Sequence, residues 1–350
     1  MRAATARPTD ALGPADVDSP AVARWLYAVA ALVFLMVLVG GATRLTGSGL
    51  SITEWRPVTG AIPPLSAADW AAEFEKYRQS SQYALLNKGM SLGEFQFIYW
   101  WEWGHRQLGR FIGLVYALGL VWFAARGSLS LRLGVILFGM GLVLGLQGAI
   151  GWIMVASGLQ PGMIAVAPVK LTLHLGFACL FLASLIFVAV RISGPRDAEP
   201  GPRGAILLLW LLILMQILLG GLVAGSRAGL TYNTWPLMDG AFIPPLAKLF
   251  VVTPWIENFV DNPTLVQFNH RMLAYGVLVV ALVQAVALRA CYRRAPVALR
   301  AVGLFHVLVL QAALGIVTLL LSVPLWAGLA HQGLAMLALI QGTRHLARVG

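Results

Sequence analysis

Residues 204–225 read GAILLLWLLILMQILLGGLVAG, a run of 22 residues that carries no charged side chain. About 20 consecutive apolar residues in a helix span the hydrocarbon core of a bilayer. Similar runs recur along the chain, and eight spans can be placed near residues 22–43, 106–125, 132–155, 170–191, 204–225, 269–289, 299–322 and 325–344. The sequence therefore predicts an all-α integral membrane protein with eight transmembrane helices.

The composition argues against soluble domains. Of the 350 residues, 59% are hydrophobic and 11% are charged, whereas about 25% of the residues of soluble proteins are charged. The net charge of +11 does not indicate a nucleic-acid partner, because membrane proteins concentrate Lys and Arg in their cytoplasmic loops. Cys179 and Cys291 are expected near opposite faces of the membrane, so no disulfide is expected, and the sequence has no CxxCH motif for covalent haem attachment.

The distribution of arginine predicts the orientation. Arginines occupy the three connections from even-numbered to odd-numbered spans and follow the last span, and the positive-inside rule places such segments in the cytoplasm. Both termini are therefore expected in the cytoplasm, with residues 1–21 as a short tail, and the two long loops, about 44–105 and 226–268, on the outer side. The arginines are Arg126, Arg132, Arg191, Arg196, Arg203, Arg289, Arg293, Arg294, Arg300, Arg344 and Arg348.

The first long loop contains a predicted amphipathic helix. Ser66 followed by Asp69 is a typical helix start, and Trp70, Phe74 and Tyr77 then recur at i, i+4 and i+7. Such an aromatic stripe suits a helix on the membrane surface, and it suits equally a face that packs against the helix bundle.

The two halves of the chain resemble each other. Residues 40–64, GGATRLTGSGLSITEWRPVTGAIPP, align with residues 220–245, GGLVAGSRAGLTYNTWPLMDGAFIPP, with one insertion before the final proline pair. Three later segments align in the same order: EWGHR at 102–106 with QFNHR at 267–271, LQGAIG at 146–151 with LQAALG at 310–315, and HLGFA at 174–178 with HQGLA at 331–335. Each repeat holds four spans, an even number, so both halves keep one orientation, as parallel repeats do. We expect two pseudo-symmetric four-helix bundles, 22–195 and 196–350.

Four of the six histidines belong to this repeat. His105 and His270 open the second and sixth spans at the outer face, and His174 and His331 lie about one turn inside the fourth and eighth spans. Each half thus brings two imidazoles to one depth. A zinc site would need more ligands in close array, commonly with cysteine or carboxylate, whereas haem iron needs one imidazole on each face. Two histidines without a repeat partner are expected to be structural or surface residues: His306 and His345.

Each of the four paired histidines is followed one turn later by a small residue. That residue leaves space for a porphyrin edge on the same helix face, or it simply allows close helix packing. The four small residues are Gly109, Ala178, Ala274 and Ala335. Arg106 and Arg271 adjoin the first histidine of each pair, and they are expected either to pair with haem propionates or to extend toward water at the helix end.

One position distinguishes the two halves chemically. Glu102 lies three residues before His105 on the same helix face, and its counterpart in the second half is Gln267. A carboxylate can accept or relay a proton, whereas an amide ordinarily does not. The difference suggests one reacting site and one electron-transfer site. The GSG segment at 47–49 lacks the GxGxxG pattern of a dinucleotide site, so it is predicted to be a turn and no nucleotide cofactor is expected.

Taken together, EWGHR at 102–106, QFNHRMLAY at 267–275 and the two later histidines resemble the haem A synthase family, over roughly residues 22–345. The resemblance implies oxidation of a methyl group of haem O to a formyl group, which gives haem A for haem-copper terminal oxidases. It assigns His105 and His174 as ligands of the substrate haem, with Glu102 as the essential carboxylate. It assigns His270 and His331 as ligands of a bound haem b.

The resemblance also implies a bacterial inner membrane, haem O delivered by haem O synthase, oxidase assembly factors as partners, and a quinone or other electron acceptor. Entry of the isoprenoid tail of haem O from the lipid is expected. Some bacterial members carry paired cysteines in the outer loops, and this chain has none there. Two other classes of protein stay open. A di-haem quinol-oxidising cytochrome would not explain the difference between Glu102 and Gln267. A transporter built from parallel repeats would not explain the four matched histidines.

Overall fold

The computed structural model describes residues 19–194, 196–197 and 201–349, and this part of the chain is helical with no β-strand. Eight helices are long: α1 Ser19–Leu45, α4 Leu92–Ala125, α5 Leu131–Gly158, α6 Pro168–Ile192, α7 Arg203–Gly225, α10 Pro263–Tyr292, α11 Pro296–Leu320 and α12 Leu325–Arg348. Four short helices lie in the two long loops: α2 Ala67–Arg78, α3 Ser81–Leu86, α8 Leu246–Leu249 and α9 Asn258–Asp261. The predicted tail, residues 1–21, lies outside the described residues except for its last three, which begin α1.

Seven of the long helices are long and apolar enough to cross a membrane, namely all except α12, so the described part of the chain is a multi-pass membrane protein by length and composition. The helix α12 corresponds to the predicted eighth span and is continuous over 24 residues. Its apolar content is lower because His331, Gln332 and Gln341 interrupt the run. It packs against α1, α6, α7 and α11.

The long helices pack in two groups that meet along α6 and α12. In the first group α1 contacts α4 and α6, and α5 contacts the same two helices. In the second group α7 contacts α10 and α12, and α11 contacts the same two helices. Between the groups α6 packs on α7 and α12, and α1 packs on α12. The helix α6 is the most buried of the seven candidate spans.

Two sulfur atoms meet at the centre of this interface. The Sγ atom of Cys179 on α6 lies 3.8 Å from the Sδ atom of Met336 on α12. Both cysteines are free thiols, with Cys179 buried and Cys291 exposed, so the expectation of no disulfide between them is confirmed.

The first long loop packs on an outward extension of α4, which begins at Leu92, well before the predicted start of the second span at residue 106. The predicted helix start is confirmed, since Ser66 and Asp69 form a reciprocal capping box at the beginning of α2. Hydrogen bonds from Ser66 hold the pKa of the Asp69 carboxyl below its usual value. The predicted turn at residues 47–49 follows α1, with Gly47 at a φ of 70°.

The aromatic stripe on α2 faces protein. Tyr77 is fully buried and its ring lies 5.4 Å from that of Phe95, while the ring of Trp70 lies 5.0 Å from that of Tyr99. Of the two interpretations of this stripe, packing against the bundle therefore describes the structure.

Candidate functional site: two pairs of buried histidines

The structure brings the four repeat histidines together as two pairs. His105 on α4 lies near His174 on α6, and His270 on α10 lies near His331 on α12. The Nδ1 atoms of His174 and His331 are buried and have no hydrogen-bond partner among the described residues. In each pair, the second histidine therefore has one buried ring nitrogen that the surrounding protein leaves without a hydrogen bond.

A glycine on a neighbouring helix lies against each of the four rings. A Cβ atom added at Gly40 would lie 3.1 Å from Nε2 of His105, and one at Gly220 would lie 3.4 Å from Cε1 of His270. A Cβ atom added at Gly151 would lie 2.9 Å from Cε1 of His174, and one at Gly315 would lie 2.7 Å from Cε1 of His331. At Gly151 and Gly315 a side chain would therefore displace the imidazole, whereas the contact at Gly40 is tight and that at Gly220 is an ordinary van der Waals contact.

These glycines were not singled out as site residues from the sequence, although a signal was present. Gly40 aligns with Gly220 and Gly151 aligns with Gly315 in the repeat, so the duplication had already marked them. One of the small residues that the sequence did single out lies differently. Gly109, one turn after His105, faces α1, where a Cβ atom would lie 3.3 Å from Cε of Met36.

Glu102 is buried, with 2% of its surface exposed, and both carboxylate oxygens are used. Its Oε2 accepts hydrogen bonds from the Ser51 hydroxyl at 2.8 Å and from the Ile52 amide at 2.9 Å. Its Oε1 accepts from the guanidinium of Arg106 at 2.6 Å and 3.2 Å. The carboxylate therefore joins α4 to the segment that follows α1.

Gln267 is the counterpart of Glu102 in the second half. It donates hydrogen bonds to the preceding loop, whereas Glu102 accepts them. Its amide nitrogen donates to the carbonyls of Ala228 and Tyr232 at 2.9 Å and 3.2 Å, and its Oε1 accepts from Arg271 at 3.4 Å. Both residues tie a helix to the loop before it. Only the first half does so with an ionisable group, which makes Glu102 the candidate for proton transfer.

The two arginines beside the first histidines bind loop carbonyls. Arg106 donates to Ile52 and Glu54 at 2.9 Å and 3.1 Å, so each of its three side-chain nitrogens has a protein acceptor. Arg271 donates to Tyr232 at 2.9 Å. Its Nε is buried without a partner in the described structure. Arg271 therefore has one buried side-chain nitrogen without an acceptor, whereas every side-chain nitrogen of Arg106 has one.

The two remaining histidines lie outside these pairs. His306 on α11 is exposed, and its Nδ1 lies 2.7 Å from the carbonyl of Val302. His345 on α12 is 1% exposed and accepts a hydrogen bond from Nε of Arg300 at 3.3 Å. They fit the expected surface and structural positions.

Similarity to known proteins agrees with this arrangement. A family model described as cytochrome oxidase assembly protein matches residues 23–341. The chain is 61% identical over 332 residues to the haem A synthase of Methylobacterium sp. (strain 4-46), covering 94% of this chain and 92% of that protein. The chain belongs to the haem A synthase family. The family relationship inferred from the motifs is thereby confirmed.

Two further haem A synthases give the range of similarity within the family. That of Methylobacterium radiotolerans is 61% identical over 341 residues, covering 96% of this chain and 92% of the relative. That of Brucella ovis is 48% identical over 340 residues, covering 94% and 92%. The similarity therefore extends over nearly the whole chain.

Proposed function

We propose that this chain is an oxidoreductase that converts haem O to haem A, by oxidising a methyl group of the porphyrin to a formyl group, and so supplies haem-copper terminal oxidases. One observation carries the proposal. Two equivalent pairs of buried histidines, in a member of the haem A synthase family, differ in having Glu102 beside the first pair and Gln267 beside the second.

The first half, 22–195, binds the substrate haem through His105 and His174. The second half, 196–350, holds a haem b through His270 and His331. The glycine against each of the four rings and the two imidazoles of each pair fit a haem, which these histidines would hold. When bound, haem b supplies one-electron transfer. The residues of the second half fix its ligands and exclude water around them.

Glu102 handles protons at the reacting site. Oxidation of a C–H group removes protons as well as electrons, and a buried carboxylate beside His105 can accept them. Arg106 and Ser51 keep the carboxylate in place by hydrogen bonds. The amide of Gln267 lacks this capacity, which suits a half that only transfers electrons to a quinone or another acceptor.

The two halves form pseudo-symmetric four-helix bundles of four transmembrane spans each, with α12 as the eighth. Cys179 and Met336 support this arrangement, because they are counterparts in the repeat, each five residues after the second histidine, and their sulfur atoms are in contact. Counterpart residues meet at a pseudo-twofold axis, so this contact supports an axis between α6 and α12 along the membrane normal.

Arg271, near the outer end of α10, would hold a propionate of haem b. Arg271 keeps its buried Nε free and is a better candidate for a propionate contact than Arg106, whose nitrogens are all used by protein acceptors. The charge-assisted bond would be short and directional.

The protein lies in the bacterial inner membrane with both termini in the cytoplasm and both long loops on the outer side. Reporter fusions after residues 88, 198 and 350 are expected to report the outer side, the cytoplasm and the cytoplasm. The reverse pattern would contradict the orientation and would move the histidine pairs to the cytoplasmic face.

The proposed activity is tested by expressing the chain in bacterial cells that make haem O and lack haem A. Accumulation of haem A is the expected result, and the haem O synthase of the host supplies the substrate. Cells that keep haem O alone while the protein is present in the membrane would contradict the proposal. A quinol-oxidising cytochrome or a transporter would give that outcome.

The glycines against the histidine rings provide a prediction with little cost to folding. Gly315→Ala would place a Cβ atom 2.7 Å from Cε1 of His331, so the imidazole must move away from its ligand position. Loss of a contact that orients a metal ligand typically lowers the affinity for the metal about 10–100-fold. We expect the affinity for haem b to fall by this order. Alanine itself favours a helix by about 0.5–1 kcal/mol over glycine, so the chain stays folded.

Gly303→Ala on the same helix is the matched control, because a Cβ atom there meets nothing within 4 Å. The measurement is the haem b content of the purified variants from reduced-minus-oxidised spectra. Equal haem b content in the two variants would contradict the contact between Gly315 and a haem ligand.

A further inference from the structure

Three of the four paired histidines are held by a glutamine on an adjacent helix. In each case the side-chain amide nitrogen donates to the main-chain carbonyl of the histidine, at 2.9 Å to 3.0 Å: Gln147 to His174, Gln216 to His270 and Gln311 to His331. The same contact recurs from α5 to α6, from α7 to α10 and from α11 to α12. A contact that recurs at three ligand positions of a duplicated bundle indicates a shared role.

The oxygen atoms of these three amides have no partner. Oε1 of Gln147, Gln216 and Gln311 is buried without a hydrogen bond among the described residues. A buried amide oxygen is costly unless it accepts a hydrogen bond. Three unsatisfied acceptors beside three histidines therefore point to the imidazole N–H as the missing donor.

Binding to iron would fix which ring nitrogen carries the proton of a neutral imidazole. A neutral histidine that coordinates through Nε2 carries its proton on Nδ1. The amide nitrogen of Gln216 lies 3.1 Å from Nδ1 and 3.3 Å from Nε2 of His270, so the carboxamide is already beside the ring. The last torsion of a glutamine is broad, so the carboxamide can rotate to present Oε1 to Nδ1.

The fourth position breaks the pattern. Gly40 aligns with Gly220, so the residue four positions earlier, Met36, is the counterpart of Gln216. Its Cε atom lies beside Gly109, one turn after His105, at 3.3 Å from a Cβ atom added there. A thioether is only a weak acceptor and has no N–H. His105, on the side of the substrate haem, therefore lacks the partner that the other three have.

We infer that Gln216 is a positioning residue for the haem b ligand His270, whose Nδ1–H it accepts while its amide nitrogen holds the His270 carbonyl. The inference rests on the proposed function, in which His270 binds haem b. An acceptor on Nδ1–H makes the imidazole a more basic ligand. A more basic ligand favours ferric over ferrous iron, so Gln216 lowers the midpoint potential of haem b, and Met36 leaves His105 without this effect.

The test measures the midpoint potential of haem b in the purified full-length protein by spectroelectrochemical titration, together with the electron paramagnetic resonance spectrum of the ferric haem. Gln216→Met installs the residue of the first half, and we expect a higher midpoint potential, altered g-values and haem b affinity lower by about 10–100-fold. Gln216→Glu keeps an acceptor and strengthens it, and we expect a lower midpoint potential. Midpoint potentials that shift in opposite directions in the two variants distinguish a positioning role of Gln216 from a general loss of packing.

Gln284→Leu is the matched control. Gln284 lies on α10 with His270, is buried, and has neither end of its amide partnered in the described structure. The control should leave the potential and the spectrum unchanged. An unchanged potential in Gln216→Met, or an equal shift in Gln284→Leu, would overturn the positioning role. If Gln216→Met does not fold, a potential in Gln216→Glu equal to or above that of the wild type would overturn it as well.

His270→Ala distinguishes failure of this inference from failure of the proposed function. Loss of haem b in His270→Ala with an unchanged potential in Gln216→Met would overturn only the role of Gln216. Retention of haem b in His270→Ala would overturn the ligand assignment and the inference together.

Discussion

Glu102→Gln is expected to abolish haem A formation almost completely while the protein still folds and retains haem b. A positioned acid–base group contributes about 10²–10⁴-fold in rate, and haem A production should fall by this order. The measurement is the ratio of haem A to haem O in cells that express equal amounts of each variant.

The structure shows why this variant also has a structural cost. Glu102 pairs with Arg106, one turn later on α4, and the side chains of this pair are only 3% and 17% exposed. Removing one partner of a buried pair typically costs about 3–5 kcal/mol. Here Arg106 keeps its bonds to the Ile52 and Glu54 carbonyls, so the cost should lie toward the lower end of this range.

Two variants separate this cost from acid–base chemistry. Ser51→Ala removes one hydrogen bond from the carboxylate, and Arg106→Lys replaces the two-pronged contact with a single charge, yet both leave Glu102 ionisable. We expect both to lower the unfolding temperature and to retain most haem A formation. If they lose haem A formation as fully as Glu102→Gln does, Glu102 has only a structural role.

His270→Ala and His331→Ala are each expected to deplete haem b, because each variant removes one of the two imidazoles that would hold the haem iron. His105→Ala and His174→Ala should keep haem b and lose haem A formation, since they lie in the other half. His306→Ala is the matched control, a histidine on α11 that is exposed and outside both pairs. Normal reduced-minus-oxidised b-type spectra in both His270→Ala and His331→Ala would remove the ligand assignment.

Local and repeated signals made much of this protein predictable from its sequence. Apolar runs gave the long helices, the Ser66 and Asp69 pair gave the start of α2, and the duplication identified His105 and His270 with their later partners. Each of these signals depends on residues that are close in sequence or on a comparison of one half with the other.

Features that depend on contacts between distant segments were not predictable in the same way. The extension of α4 outward to Leu92 depends on packing under the first loop, since Phe95 and Tyr99 are buried there by Tyr77 and Trp70. The burial of Glu102 depends on Ser51 and Ile52, about fifty residues earlier. The lower apolar content of α12 was visible in the sequence, but its packing against four other helices was not.

The contacts of the glycines and glutamines with the histidines were predictable only in part. The repeat displayed Gly151 and Gly315, and Gln147 and Gln311, at equivalent positions, but not which neighbour each one touches. Helix packing places them against His174 and His331.

Identification of the haems extracted from the purified wild-type protein tests the central claim most directly. The protein should be made in cells that synthesise haem O, and its haems separated by chromatography and identified by mass. Haem b together with haem O and haem A is the predicted result, because one half holds a cofactor and the other binds substrate and product. Haem b alone, or no haem, would contradict the account.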